Sequence, residues 1–173
     1  YKTASLIAAS EQQWRERLGA KELPYEDFKS LQQYAVGRGI DFFATPHEEE
    51  ALEYLVGELH VPLLKVGSGE VGNLIFLKRV AAAMLPTMVS LGLHNEDDIQ
   101  QVVGVFKEAG NEQLILLHCV TRYPTPEGES NLRTISWLAK RYDYPVGYSD
   151  HTAGHAVPLA AVALGACVIE KHI

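Results

Sequence analysis

The sequence predicts an α/β protein with a parallel sheet, and three observations carry the prediction. Short apolar runs alternate with longer amphipathic segments along most of the chain. Six candidate strands, at residues 40–45, 62–67, 86–90, 114–120, 145–149 and 166–172, start 22, 24, 28, 31 and 21 residues apart. That spacing leaves room for the helical crossover that parallel neighbours require. The third observation is how the strands finish. Nearly all end in polar or small residues: Thr45-Pro46, Gly67-Ser68-Gly69-Glu70, Ser90-Leu91-Gly92, His118-Cys119, Ser149-Asp150-His151 and Glu170-Lys171-His172. An open doubly wound sheet gathers its chemistry at one switch point, whereas a barrel brings every strand end to one face. The expected fold class is therefore α/β, a (β/α)8 TIM barrel that is incomplete in this chain. Six strands alone would expose two unpaired parallel edges, so two further strands are expected upstream.

In chain order, residues 1–39 read as a loop and two helices, at 11–18 and 25–38. Strand 40–45 leads to a helix over 48–59, with Ala51, Leu52, Leu55 and Val56 on one face. Strands 62–67 and 86–90 follow. A helix over 96–109 carries Ile99, Val102, Val103 and Phe106, with Asn95 as its N-cap and acidic residues in its first turn. Strand 114–120 precedes a helix over 131–141 bearing Leu132, Ile135 and Leu138, and strand 145–149 precedes an Ala/Val/Leu helix over 156–164. Strand 166–172 closes the chain.

Composition narrows the function. The 173 residues amount to about one domain. Fifteen Lys+Arg against 22 Asp+Glu leave a formal charge of −7, which argues against non-specific nucleic-acid binding, since that needs a basic face. No apolar run approaches the roughly 18 residues that span a bilayer, so no membrane span is expected. Cys119 and Cys167 stand 48 apart with no second cysteine near either. A disulfide scaffold and a cysteine zinc site are thereby disfavoured, and a reducing, cytoplasmic compartment is the expectation. The chain opens on Tyr1 with no signal-peptide pattern, and is expected to be a piece of something longer.

The chemistry lies at the strand ends. Alternation puts Gly147, Ser149 and His151 on one face of their strand, and Val168, Glu170 and His172 on one face of the next. If both faces point inward, two imidazoles meet at the barrel mouth. With oxygen ligands from water or substrate, the pair suits a divalent first-row ion. His47, His60, His94, His118 and His155 lack such a partner and read as structural or solvent-facing. Lys65 sits within an apolar strand, a costly place unless it is paired or meets an anion. The following Gly67-Ser68-Gly69 offers amide donors and close backbone approach to an oxyanion. The alternative is a tight turn with the lysine reaching outward. Ser90 and Ser149 close two strands, either as hydroxyl donors to a phosphate or as turn formers. Tyr123, in the rigid run Tyr123-Pro124-Thr125-Pro126, either meets a sugar over the mouth or belongs to a plain loop.

Together, Lys65-Val66-Gly67-Ser68-Gly69-Glu70, His118-Cys119 with Tyr123-Pro124, Gly147-Tyr148-Ser149-Asp150-His151 and Glu170-Lys171-His172 resemble the barrel domain of the sialic acid synthase family. That family includes N-acetylneuraminate, legionaminate and pseudaminate synthases and spore-coat polysaccharide proteins. The resemblance runs from about Tyr25 to Ile173. It implies a barrel followed by a small antifreeze-like domain, absent from this sequence, that covers the partner's active site in a homodimer. It also implies condensation of phosphoenolpyruvate with an N-acetylated aldose such as N-acetylmannosamine, assisted by a divalent metal (Mn²⁺ or Mg²⁺), to give a nine-carbon 2-keto acid and phosphate. By motif position His151 and His172 match the metal ligands. Lys65, Ser68, Gly69, Ser90 and Ser149, with Thr45 nearby, match the phosphoenolpyruvate site. Glu70 and Lys65 match catalytic positions, and Tyr123 a sugar contact.

Two departures stand out: Leu91-Gly92-Leu93 replaces the family's common Thr-Gly-Met, and Thr121 stands where N-acetylneuraminate synthases often carry Asn. They keep open a non-catalytic sugar-phosphate-binding barrel. Among other rivals, 3-deoxy-sugar-acid synthases should lack the Ser-Asp-His and Glu-Lys-His pair. A Schiff-base aldolase is disfavoured by the glycine nest beside Lys65.

Overall fold

The computed structural model describes residues 23–172, and the chain divides into two compact units, Tyr1–Phe42 and Phe43–Ile173. The helix expected at 11–18 lies outside the described residues. In the first unit, helix α1 (Tyr25–Val36) carries Glu26 and Asp27 in its first turn, where the exposed amides favour negative charge. Its end turns through Gly39 at φ +69°, a conformation that glycine adopts without steric cost. Phe28 and Phe42 meet edge to face at 6.4 Å.

The second unit holds the sheet. Helix α2 (Glu49–Glu53) widens into one π-helical turn at Tyr54–Glu58. Then follow β1 (Leu64–Val66), α3 (Leu74–Ala82), β2 (Thr87–Ser90), α4 (Glu96–Glu108), β3 (Leu114–Cys119), α5 (Arg133–Tyr142), β4 (Val146–Asp150), α6 (Ala156–Ala163) and β5 (Ile169–Lys171). All neighbours are parallel and the spatial order is β1-β2-β3-β4-β5. The order never reverses, so among the described residues there is no switch point of the doubly wound kind. Every residue of β1, β2 and β4 is buried, as for strands covered on both faces. Phe76, Leu77 and Val80 of α3, Ile99, Val102 and Phe106 of α4, and Ile135 and Leu138 of α5 are buried helical residues.

Two features correct the sequence reading. The strand expected at 40–45 joins no ladder, leaving five strands among the described residues. The pairing given for β1 is with β2, and Ile40 and Phe43 are 61% and 37% exposed, so neither hydrogen bonds nor burial hold that segment as a strand. Conversely, α3 was not foreseen. Its run Leu-Ile-Phe-Leu-Lys-Arg-Val-Ala-Ala is apolar almost throughout, so little polar face marks the helical period.

The expected cap of α4 is a full capping box. Asp98 N–H donates to Asn95 Oδ1 and Asn95 N–H donates to Asp98 Oδ2, each at 3.0 Å. Gly147 fixes how closely three strands approach. A Cβ there would stand 2.6 Å from Leu117 Cδ2 and 2.7 Å from the Val168 carbonyl oxygen, closer than real Cβ atoms come. No helix among the described residues is long and apolar enough to cross a membrane.

Candidate active site

Lys65 decides between the two readings of its strand. The residue is only 6% exposed, and its Nζ donates to Ser90 Oγ at 2.8 Å and to the Val66 carbonyl at 3.1 Å. Glu170 Oε1 lies 3.5 Å from the same nitrogen. The lysine therefore turns inward. Its partner Glu170 sits on β5, at the opposite edge of the sheet from β1. In a flat sheet those strands would be about 19 Å apart, at roughly 4.8 Å per neighbour. Contact between their side chains requires this unit's sheet to curl, as in part of a barrel.

The strand ends are knitted together around that contact. Gly92 N–H donates to Ser68 Oγ at 3.0 Å, and Cys119 Sγ lies 3.2 Å from the same hydroxyl. Gly67 has ordinary extended backbone, and a Cβ built on it would meet nothing within 4 Å. Its missing side chain thus leaves space in the cleft itself. On β4, Ser149 Oγ lies 3.4 Å from His151 Nε2. His151 Nδ1 is 2.6 Å from the Val120 carbonyl oxygen, which makes Nδ1 the protonated nitrogen and leaves the Nε2 lone pair available. Burial pushes this imidazole's pKa down and so favours the neutral ring. The His172 ring stands 4.8 Å from that of His151, edge to face. The Tyr123 ring lies 4.0 Å from His151 and 5.6 Å from His172.

Thr45, Lys65, Ser68, Gly69, Ser90, Tyr123, Ser149, His151 and His172 all line one cleft of about 360 Å³. Those are the residues singled out from the sequence, with one exception. Glu70 is 1% exposed and stands behind the turn, where Oε2 accepts from Asn73 Nδ2 at 2.8 Å and Oε1 lies 3.3 Å from His47 Nδ1. A larger cavity of about 910 Å³ runs alongside, sharing Cys119 and Thr121 with the cleft.

The sequence model of the NeuB family matches residues 2–173. The chain belongs to this family. It is 40% identical to the N,N'-diacetyllegionaminic acid synthase of Legionella pneumophila, over 91% of this chain and 45% of that one. It is 41% identical to the N-acetylneuraminate-9-phosphate synthase of Mus musculus, over 88% of this chain and 42% of that one. Among solved structures, the N-acetylneuraminic acid synthetase of Leptospira borgpetersenii, crystallised with citrate, superposes with a TM-score of 0.84 at 38% identity. That match covers 87% of this chain and 52% of the other. The chain thus spans about half the length, or less, of the curated relatives it matches.

Four further residues of this NeuB-family chain line the cleft without having been singled out: His47, Cys119, Thr121 and Glu170. Alternation carries a signal for two of them. Glu170 shares a strand face with His172, and His47 lies two residues beyond Thr45. The His47 side chain is 61% exposed, in keeping with a solvent-facing residue, and it also borders the cleft. His118 does play a packing part: Nε2 lies 2.8 Å from the Ser130 carbonyl oxygen, and burial pushes its pKa down.

No group of three or more His, Cys, Asp or Glu able to hold a metal is present among the described residues. The imidazole pair fits a divalent ion whose other positions are filled by oxygen from water or substrate, because His151 offers a neutral Nε2 beside the adjacent His172 ring.

Proposed function

We propose that the full-length protein is a sugar-acid synthase that condenses phosphoenolpyruvate with an N-acetylated aldose, giving a nine-carbon 2-keto acid and inorganic phosphate. The observation that carries this reading is one cleft holding an inward lysine, three strand-end serines and an imidazole pair. The names of its legionaminic, neuraminic and pseudaminic acid synthase relatives support the product class.

Lys65, positioned by Ser90, offers a cation to the phosphoenolpyruvate anion, and the Ser68 and Ser149 hydroxyls border the same space. Glu170 partly balances Lys65 and keeps the empty cleft from carrying an uncompensated buried charge. Glu70 acts from behind the turn by holding His47 at the cleft edge. Tyr123 supplies an aromatic face and a hydroxyl to the sugar. In the reaction the enolpyruvyl C3 bonds to the aldehyde carbon, water adds at C2, and phosphate departs. A divalent ion (Mn²⁺ or Mg²⁺) held by His151 and His172 would supply Lewis acidity toward the aldehyde oxygen.

The test is phosphate release by the full-length protein given phosphoenolpyruvate, Mn²⁺ and a panel of N-acetylated hexosamines. Release that depends on the sugar and is lost in His172→Ala is the expected result. Binding of phosphoenolpyruvate and Mn²⁺ with no release for any sugar would overturn it in favour of a non-catalytic sugar-phosphate-binding barrel.

A further inference from the structure

Asp150 and Lys171 alternate with the cleft residues. Asp150 lies between Ser149 and His151, and Lys171 between Glu170 and His172, so both side chains fall on the face of the sheet away from the cleft. They occupy the last paired rung of the β4–β5 ladder, and each imidazole is the next residue beyond it. Backbone pairing between these strands therefore stops one residue short of both histidines.

Side chains continue the connection where the ladder ends. Lys171 Nζ donates to Asp150 Oδ2 at 2.5 Å and to the Thr152 carbonyl at 2.6 Å. The other carboxylate oxygen of Asp150 accepts from Thr152 N–H at 3.0 Å and from Thr152 Oγ1 at 2.8 Å. One ammonium thus grips the residues on either side of His151, and it belongs to the residue just before His172. The Asp150 side chain is fully buried, so its charge has no solvent alternative to these partners. A third strand end is tied in through Thr125, whose N–H donates to the His151 carbonyl at 2.9 Å.

We infer that the Asp150–Lys171 pair is a positioning clamp that sets the separation of His151 and His172, and thereby the affinity for a divalent ion, without touching the ion. The inference rests on the reading above that those two imidazoles hold the metal. Two nitrogens on one ion must both lie about 2.1 Å from it, so a strand end free to shift by a fraction of an ångström loses the chelate. Neither Asp150 nor Lys171 is a catalytic residue in this scheme.

The experiment is a Mn²⁺ titration of the full-length protein, followed by the electron paramagnetic resonance of the free aquo ion. Wild type, His172→Ala, Asp150→Asn and the double variant Asp150→Asn/Lys171→Met are compared, and thermal unfolding verifies folding. Asp150→Asn is expected to weaken Mn²⁺ binding about 10-fold, the low end of what losing an outer-shell partner costs, because Asp150 acts through the strand ends and not on a ring. The double variant should bind no more weakly than the single, because both lose the same clamp. Should Asp150→Asn not fold, Lys171→Arg is the second variant. It keeps the charge, alters the donor geometry, and is expected to lower affinity in the same direction. Folded Asp150→Asn or Lys171→Arg with wild-type Mn²⁺ affinity, while His172→Ala loses binding, overturns the clamp alone. A wild-type protein that binds no Mn²⁺ overturns the metal reading beneath it.

Discussion

Lys65 is the residue on which the cleft's electrostatics turn, because its ammonium is buried between a hydroxyl and a carboxylate. Lys65→Met in the full-length protein should weaken phosphoenolpyruvate binding by about 10- to 100-fold, the worth of a charge-assisted hydrogen bond of about 1.5–3 kcal/mol. Isothermal titration in the absence of sugar reads that loss directly. Gly92 is the steric counterpart. A Cβ there would meet Cys119 Sγ at 2.6 Å, so Gly92→Ala should destabilise the fold by about 1–3 kcal/mol of overpacking, read as a lowered denaturation midpoint. Single residues were legible where strand alternation fixes direction, as for Ser149, His151 and His172. Glu70 shows where that fails. It follows a strand within a short 3-10 turn, which has no period of two, and nothing in its sequence neighbours says that it faces Asn73 and His47 rather than the cleft.

At the scale of elements, the amphipathic α4 and α5 were readable, and so was the apolar Ala/Val/Leu run of α6, while α3 was not. The α4 capping box satisfies two orphan amides at once, and Asn95→Ala should cost about 1 kcal/mol, measured by chemical denaturation. α3 has a cap too, since Phe76 N–H donates to Asn73 Oδ1 at 3.4 Å, but its apolar run hid its period. The segment at 40–45 failed in the opposite way. Its composition is that of a strand, yet a strand exists only where a neighbour accepts its hydrogen bonds, and no ladder includes it.

Over the whole of the sheet-bearing unit, barrel-like curvature was legible because polar strand ends recur at nearly every strand, a pattern that chemistry confined to one switch point would not produce. The unit also buries imidazoles with a common pH consequence. Burial lowers the pKa of His94 and His118 below the ordinary value. The unfolded chain then binds protons between about pH 6.5 and those lower folded values while the folded chain does not, so stability falls as pH drops through that window. The melting temperature of the full-length protein should therefore be lower at pH 5.5 than at pH 7.5. His118→Gln should flatten that slope.

The pairing of Lys65 with Glu170 has a consequence for timing. Each strand–helix unit between them can assemble from local contacts, but the cleft needs both ends of the series at once. During synthesis Lys65 leaves the ribosome long before Glu170 does, and until then it has Ser90 without the Glu170 carboxylate. The pocket is thus completed only when the last strand of this sheet joins, and a nascent or clipped polypeptide that still folds its early units holds no competent site.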